Sequence, residues 1–219
     1  MWNRADLMSI NTAFYQIAKN VAASDLAKII GAKIIGIETG VAEKAVIKDI
    51  APFHSASAST LVYQTDPRLL VGLNIRETIL ITNEDGAAAV GPKSICLVVP
   101  SPRVGFARAV DYLISKPDFG LSVSGVSPKA MIAPNTVIHP SATIMARAKI
   151  GSGTVVEAGA IVHPAVTVGE NCYIGSNAVL SHSVIGDHVR IGAGSVIGEA
   201  GFGFEMTGDG VVKIPHIGL

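Results

Sequence analysis

A six-residue repeat runs through the C-terminal part of the chain and restricts its fold more than any other feature. From Val126 onward, thirteen successive units begin with Ile, Val or Leu, and the fifth residue of each is small or β-branched. These two positions are an even number of steps apart, so both side chains point to the same side of a strand. Gly, Asn, Asp and Pro at positions two to four supply corners. Three units close one triangular turn, which predicts a left-handed parallel β-helix of stacked coils.

The repeat is interrupted at two places. The unit at residues 180–184 is one residue short, which predicts either a tightened corner or a local distortion that aims His182 outward. The frame ends after Ile197, where residues 207–210 (TGDG) separate two apolar arms. We therefore expect residues 201–217 to form a hairpin that leaves the coil, and long excursions from a rigid scaffold often carry function.

Composition excludes several classes of protein. The 219 residues hold 17 basic and 17 acidic side chains, so the chain lacks the basic excess of a nucleic-acid groove. No apolar run approaches the length of a transmembrane helix, and no secretory signal opens the chain. Cys96 and Cys172 lie in aliphatic stretches and read as buried thiols, which favours a reducing, cytoplasmic location. No histidine or cysteine spacing requires a metal, and no cofactor is predicted.

The first part of the chain is predicted to be a small α/β domain over residues 24–122, preceded by a helical extension over residues 1–23. Apolar residues three and four apart predict a helix over residues 6–22, and Ser24–Asp25 should cap a second helix that ends at Gly31. Another helix is expected over residues 102–115 and a loop over 83–86. Strands are expected in the segments 32–38, 44–50, 59–65, 77–83 and 94–100. No GxGxxG motif or P-loop is present, so dinucleotide or nucleoside triphosphate binding is not indicated.

The most distinctive motif is Gly-Phe-Gly-Phe at residues 201–204, followed by Lys-Ile-Pro-His-Ile-Gly at residues 213–218. Together with a small α/β domain before hexapeptide coils, it resembles the UDP-3-O-acylglucosamine N-acyltransferases of lipid A biosynthesis. The resemblance places the β-helix at residues 123–219. It implies a homotrimer with active sites between neighbouring prisms. It also implies transfer of a 3-hydroxyacyl chain from acyl carrier protein to the 2-amino group of a UDP-linked glucosamine.

The resemblance also suggests which residues form the site. The catalytic histidine of the family follows the KIPxIG motif by a few dozen residues and would lie beyond Leu219, so we expect a chain that is short at its C-terminus. His182 lies in a segment of similar sequence and is the candidate for the catalytic histidine within the chain. Alignment to the segment that clasps uracil places Leu61, Gln64 and Pro67 at the family's binding positions, and Pro67 is a poor substitute for a stacking tyrosine. Phe202, Phe204 and His216 are candidates for substrate contact. The alternative is a trimeric binding or scaffold module that has lost its active site.

Overall fold

The computed structural model describes residues 11–18, 20–36, 42, 44–71, 78–90, 94–115, 117 and 125–217. The chain divides into two compact units. The first contains residues 1–116 together with 201–218, and the second contains residues 117–200. The segment 201–217 thus groups with the first unit, although the repeat pattern attaches it to the coil. The predicted boundary between residues 122 and 123 lies outside the described residues.

Two short strand pairs occupy the start of the described chain. The helix predicted over residues 6–22 is wrong in its described part, because strands form there instead. The apolar spacing reflects burial of Phe14, Tyr15 and Val21 against partners remote in sequence, which decide the backbone conformation. Residues 1–10 lie outside the described part. The pairs are β1 (Gln16–Ile17) with β9 (Ile114–Ser115) and β2 (Val21–Ala22) with β4 (Val46–Ile47), both antiparallel.

A five-stranded sheet forms the centre of the first unit. Four strands are parallel and adjacent in chain order, and the fifth is antiparallel at one edge. The two middle strands are buried along their whole length, as expected for aliphatic strands covered on both faces. From the antiparallel edge, the order is β3 (Lys33–Ile35), β8 (Ile95–Val98), β7 (Ile79–Thr82), β6 (Thr60–Tyr63) and β5 (Asp49–Ile50).

Three helices cover the sheet in the described residues: α1 (Ala23–Ile30), α2 (Glu84–Val90) and α3 (Pro102–Leu113). Helix α1 ends as predicted at Gly31, which adopts a left-handed conformation with φ of 69°. The predicted Ser24–Asp25 cap is wrong, since the helix begins at Ala23 without a side-chain cap. Helix α3 stops two residues before its predicted end because β9 pairs with β1. Short 3₁₀ turns occur at Phe53–Ser55 and Pro67–Leu69.

Helix α2 replaces the loop predicted over residues 83–86. The Asn83 side chain accepts a hydrogen bond from the backbone N–H of Gly86 at 2.9 Å and so acts as an N-cap. Glu84 and Asp85 occupy the first turn, where acidic side chains are favoured by the helix dipole. A Cβ atom on Gly86 would collide with the Thr82 hydroxyl. The Asn-Glu-Asp-Gly segment is therefore a helix start fitted closely to the preceding strand.

Helices α2 and α3 lie on opposite faces of the sheet. Ala87 of α2 packs in a cluster with Leu80 of β7 and Cys96 of β8. Gly105 of α3 approaches the neighbouring residue on β7, Ile81, whose methyl group would lie 3.3 Å from an added Cβ. Since successive residues of a strand point to opposite faces, the two helices cover different sides.

The second unit is the left-handed β-helix that the hexads predict. Twelve two-residue strands form three parallel four-stranded sheets. In each strand the inward residue starts a hexad and the outward residue ends the previous one. The first sheet contains β10 (Met131–Ile132), β13 (Lys149–Ile150), β16 (Thr167–Val168) and β19 (Val184–Ile185). The second contains β11 (Val137–Ile138), β14 (Val155–Val156), β17 (Tyr173–Ile174) and β20 (Arg190–Ile191). The third contains β12 (Thr143–Ile144), β15 (Ile161–Val162), β18 (Val179–Leu180) and β21 (Val196–Ile197).

The coil repeats every 18 residues, as Val137 pairing with Val155 shows. The short unit changes this spacing to 17, so that Val179 pairs with Val196. Left-handed backbone conformations recur at the fourth hexad position, including non-glycine residues such as Asn135, Asn171 and Asn177. Asparagine tolerates this conformation better than most residues, which explains its place at the corners.

Candidate functional site

The short hexad creates a corner that carries two histidines in neighbouring coils. His163 follows strand β15 and His182 follows strand β18, which are paired in parallel, and the His163 N–H donates to the Leu180 carbonyl at 2.8 Å. We call residues 163–165 and 181–183 the histidine corner. Both imidazoles are half-buried. The stacked strands therefore bring the only candidate base named from the sequence, His182, to the same edge of the prism as His163.

The missing residue strains the backbone at His182. Its φ is 40°, a left-handed value that costs a non-glycine residue roughly 1 kcal/mol. The flanking serines are buried, Ser181 at 2% and Ser183 at 8% exposure. The Ser183 hydroxyl has no hydrogen-bond partner within the described residues. Gly198 in the next coil lies directly over Ser181, where an added Cβ would overlap its carbonyl group. The corner is thus tightened, and it holds an imidazole at a fixed place on the coil.

A third histidine of the coil, His139, is engaged in a local hydrogen-bond network. Nδ1 of His139 accepts a hydrogen bond from the Ser141 N–H at 3.1 Å and lies 2.9 Å from the Ser141 hydroxyl. Because Nδ1 accepts from the amide, it carries no proton, and the hydroxyl is the second donor. The Gly159 N–H donates in turn to the Ser141 hydroxyl at 3.1 Å. Sequence analysis missed this network, although histidine and serine at positions two and four of one hexad were its signal.

The outward side of the second sheet carries a polar cluster that sequence analysis also missed. The Arg190 guanidinium lies 4.1 Å from the centre of the Tyr173 ring, and the Tyr173 hydroxyl donates to the Glu157 carboxylate at 3.3 Å. Tyr173 and Arg190 are paired one coil apart. Position six of adjacent coils therefore predicts this contact once the repeat is aligned. A cation–π contact of this kind stabilises an exposed surface by about 0.5–1 kcal/mol.

The hairpin of the first unit consists of β22 (Phe204–Thr207) and β23 (Gly210–Lys213). Glu205 forms a 2.7 Å ion pair with Arg103 of α3. The alternate residues, which point to the other face, include Met206 and Val211, and both are exposed. One face of the hairpin thus contacts helix α3, and the opposite face exposes apolar side chains to solvent.

The candidate residues Phe202, Phe204 and His216 lie together at the base of this hairpin. The two phenylalanine rings meet edge to face at 4.9 Å, and Phe202 is 96% exposed. His216 Nδ1 accepts from the Gly201 N–H at 3.3 Å, and the His216 carbonyl accepts from the Tyr15 hydroxyl at 3.0 Å. Burial raises the pKa of Tyr15 above its ordinary value, so this hydroxyl stays a donor at neutral pH. An exposed aromatic pair beside a fixed imidazole can contact an apolar or sugar-bearing ligand.

The three residues aligned to the uracil-binding segment are mostly engaged in contacts within the protein. Leu61 is fully buried in β6. The Gln64 side-chain oxygen accepts from the backbone N–H groups of Thr65 and Asp66 at 2.8 and 3.0 Å, which leaves its NH₂ group for a ligand. Pro67 opens a 3₁₀ turn that Asp66 caps. The hydrogen bond from Arg68 holds the pKa of Asp66 below its ordinary value.

Gln64 and Leu61 share the first unit with the hairpin, whereas His182 belongs to the second. Within the described residues, no three His, Cys, Asp or Glu side chains form a group that could hold a metal ion. The described helices also include none that is long and apolar enough to cross a bilayer.

Comparison with known families decides the nature of the coil. Two overlapping segments, residues 147–182 and 165–199, match the family model of the bacterial transferase hexapeptide (six repeats). The matched part of the coil, residues 147–199, therefore consists of bacterial transferase hexapeptide repeats. Both segments lie within the second unit, and together they cover the histidine corner. The match supports a transferase with hexapeptide repeats. No curated protein matches the chain.

Two solved structures of one protein are similar to the chain. The acetyltransferase domain of PglB from Neisseria gonorrhoeae FA1090 is 27% identical over 33% of this chain and 47% of that chain, with a TM-score of 0.21. The same domain in complex with acetyl coenzyme A is 17% identical over 64% of this chain and 93% of that chain, with a TM-score of 0.22. This chain thus spans about half the length of the first structure. Both TM-scores are below 0.5, so the structural similarity does not indicate an activity.

Proposed function

We propose that this chain is an N-acyltransferase that moves a 3-hydroxyacyl group from acyl carrier protein to the 2-amino group of UDP-3-O-acylglucosamine. The observation that carries the proposal is the transferase hexapeptide match over residues 147–199, in a chain that also has the hairpin with its Gly-Phe-Gly-Phe motif. We further propose that it works as a cytoplasmic homotrimer whose active sites lie between the β-helices of neighbouring subunits.

The proposed reaction needs one group that accepts a proton. The neutral amine attacks the thioester carbon, a tetrahedral intermediate forms, and the carbon–sulfur bond then breaks to release the carrier thiol. A base must take the proton that the amine loses, and an imidazole titrates in the range where it can do so at neutral pH. His182 is the proposed base, since it is half-buried and held at the tightened histidine corner.

The remaining candidates have roles in binding. Phe202 and Phe204 would line the acyl or sugar pocket, and His216, whose Nδ1 already accepts a hydrogen bond, would contact the ligand through its other ring nitrogen. Gln64 would donate its NH₂ group to a carbonyl of the uracil. Leu61, which is fully buried, would act only by supporting the segment that holds Gln64.

The test is an acyl-transfer assay with 3-hydroxyacyl–acyl carrier protein and UDP-3-O-acylglucosamine. His182→Asn removes the base while keeping a side chain that tolerates the left-handed conformation, and His188→Asn is the matched control, with φ of 59° at another corner. We expect His182→Asn to lower kcat by about 10²–10⁴-fold, the usual contribution of a general base, and His188→Asn to leave it unchanged. Equal activity of both variants would show that His182 is not the base.

A second candidate function is a trimeric binding or scaffold module without catalysis. It is favoured by the clasp segment, where Leu61 is fully buried and the acceptor of Gln64 is already used by the backbone. Light scattering combined with the assay separates the two functions. A stable trimer that shows no turnover with this substrate pair would support the scaffold, and turnover by the unmodified chain would exclude it.

A further inference from the structure

A cleft of about 410 Å³ opens in the first unit, away from the residues considered above. Its walls come from three elements: the edge strand β3, the start of helix α2 and the segment that follows strand β8. Neither β6 nor the hairpin contributes to it. Among the described residues, the lining consists of Lys33, Asn83, Glu84, Asp85, Val98, Val99 and Pro100.

The position of the cleft follows from the topology of the sheet. Strands β7 and β8 are adjacent and parallel, and Asn83 and Val99 lie just beyond their carboxyl ends. From there the chain enters α2 on one face and α3 on the other, as the packing of Ala87 and Gly105 shows. The connections therefore diverge and leave a crevice between them. In open α/β sheets, such a crevice at the carboxyl ends of the strands is the usual place for a ligand.

The charged groups at the cleft have no partners in the described part of the chain. Lys33, Glu84 and Asp85 are all exposed, and none of their side chains makes an ion pair or a hydrogen bond among the described residues. The lysine and the carboxylates come from different walls and are not within ion-pair distance of each other. The apolar residues of the lining are Val98, Val99 and Pro100, and of these only Pro100 is exposed. The cleft thus carries one positive charge and two negative ones on different walls, next to apolar lining residues.

We propose that this cleft binds a small zwitterion, with its ammonium group at Glu84 and Asp85 and its carboxylate at Lys33. Charge-assisted hydrogen bonds would form at both ends, and the methylene groups of the ligand would face the apolar lining at Pro100. A ligand with only one charge leaves one wall of the cleft unpaired and therefore binds more weakly. The inference does not depend on acyl transfer, because no residue of the cleft takes part in the proposed reaction.

The experiment is a titration of the full chain with 6-aminohexanoate at low ionic strength, followed by saturation-transfer difference NMR. Hexylamine and hexanoate are the matched probes, since each keeps the apolar chain and one of the charges. Partly exposed ion pairs are worth about 1 kcal/mol, so we expect 6-aminohexanoate to bind about fivefold more tightly than either single-charge probe. Absence of saturable binding, or binding no tighter than that of hexylamine, would overturn the proposal.

Variants assign the two ends of the ligand. Lys33→Met should bring the affinity for 6-aminohexanoate down to that for hexylamine, and the double change Glu84→Gln with Asp85→Asn should bring it down to that for hexanoate. Lys48→Met and Asp111→Asn remove equally exposed charges elsewhere in the same unit and should change nothing. Circular dichroism checks that each variant folds. Equal loss in the control variants would mean that the probe responds to net charge, and the cleft would not be its site.

Discussion

The coil and the α/β unit use aliphatic residues in opposite ways. In the coil, each inward residue meets its counterpart one turn away, as when Val156 lies between Ile138 and Ile174, so a local pattern fixes the packing. In the α/β unit, Leu80 packs with residues from other strands and helices, including Val62, Ala87 and Cys96. The first arrangement can be deduced from the spacing of residues alone. The second depends on contacts between segments whose pairing the spacing does not reveal.

The largest expected effect concerns Gly86, where local preference and tertiary packing disagree. Alanine is favoured over glycine inside a helix by about 1 kcal/mol, so helix propensity predicts that Gly86→Ala stabilises the protein. The structure predicts the reverse, because the new Cβ atom would collide with the Thr82 hydroxyl. We expect a loss of about 3 kcal/mol in the free energy of unfolding, typical of an overpacked core. Urea denaturation measures it.

Thr82→Ala supplies the control for this prediction. It removes the hydroxyl that would be struck, together with the hydrogen bond that this hydroxyl donates to the Gln64 carbonyl at 2.8 Å. In that background, Gly86→Ala should cost much less than in the unmodified chain. If Gly86→Ala stabilised the unmodified chain, helix propensity would outweigh the collision with Thr82, and the prediction would be wrong.

The next effect tests the alternation on which the coil is built. Val156 is 1% exposed and points inward, whereas Val155 on the same strand points outward and is half-buried. We expect Val156→Ala to lower the free energy of unfolding by about 2 kcal/mol, because it removes buried methyl groups and leaves a cavity. Val155→Ala, the same change one residue away, should cost about 0.5 kcal/mol. Similar losses measured by urea denaturation at both positions would contradict the assigned register.

The same contrast explains which features could be predicted from the sequence. The left-handed β-helix was predicted, as was the short unit at His182, because both are visible in the frame of the hexads. The N-terminal segment was misread, since pairing of β1 and β2 with distant strands overrides a helical spacing. The hydrogen bond between His139 and Ser141 was not predicted, because the hexad pattern alone does not show which corner side chains contact each other.

The candidate sites also differ in whether the sequence pattern or long-range strand pairing brings their residues together. His163 and His182 could be placed on one corner because the repeat fixes which residues stack. Phe202 and Phe204 were found through a motif, and their contact at 4.9 Å fits their spacing of two residues. The cleft could not be predicted from the sequence, since it joins Lys33 to residues fifty or more positions further along the chain. Only the pairing of β3 with β8 brings these segments together.

The smallest expected effect is a change in the free energy of unfolding between two pH values. It depends on how well the sheet excludes water from the Cys96 thiol. Cys96 lies in β8 at 1% exposure, and burial raises the pKa of its thiol from 9.0 to about 11. The unfolded chain therefore loses this proton more readily than the folded one. The stabilisation is complete below pH 9 and is lost as the pH rises toward 11. Between pH 8.5 and 10.5 we expect a loss of about 1.5–2 kcal/mol from this group.

Cys96→Ala isolates the contribution of this thiol from those of other groups that titrate at high pH. The variant should be less stable at pH 8.5, since it leaves a small cavity beside Leu80 and Val98, and its stability should fall less steeply with pH. The difference in the free energy of unfolding between the unmodified chain and Cys96→Ala should therefore become smaller as the pH rises. If the two stability curves stay parallel, water reaches the thiol in the folded state. The sheet of the α/β unit would then be less tightly closed than its buried side chains indicate.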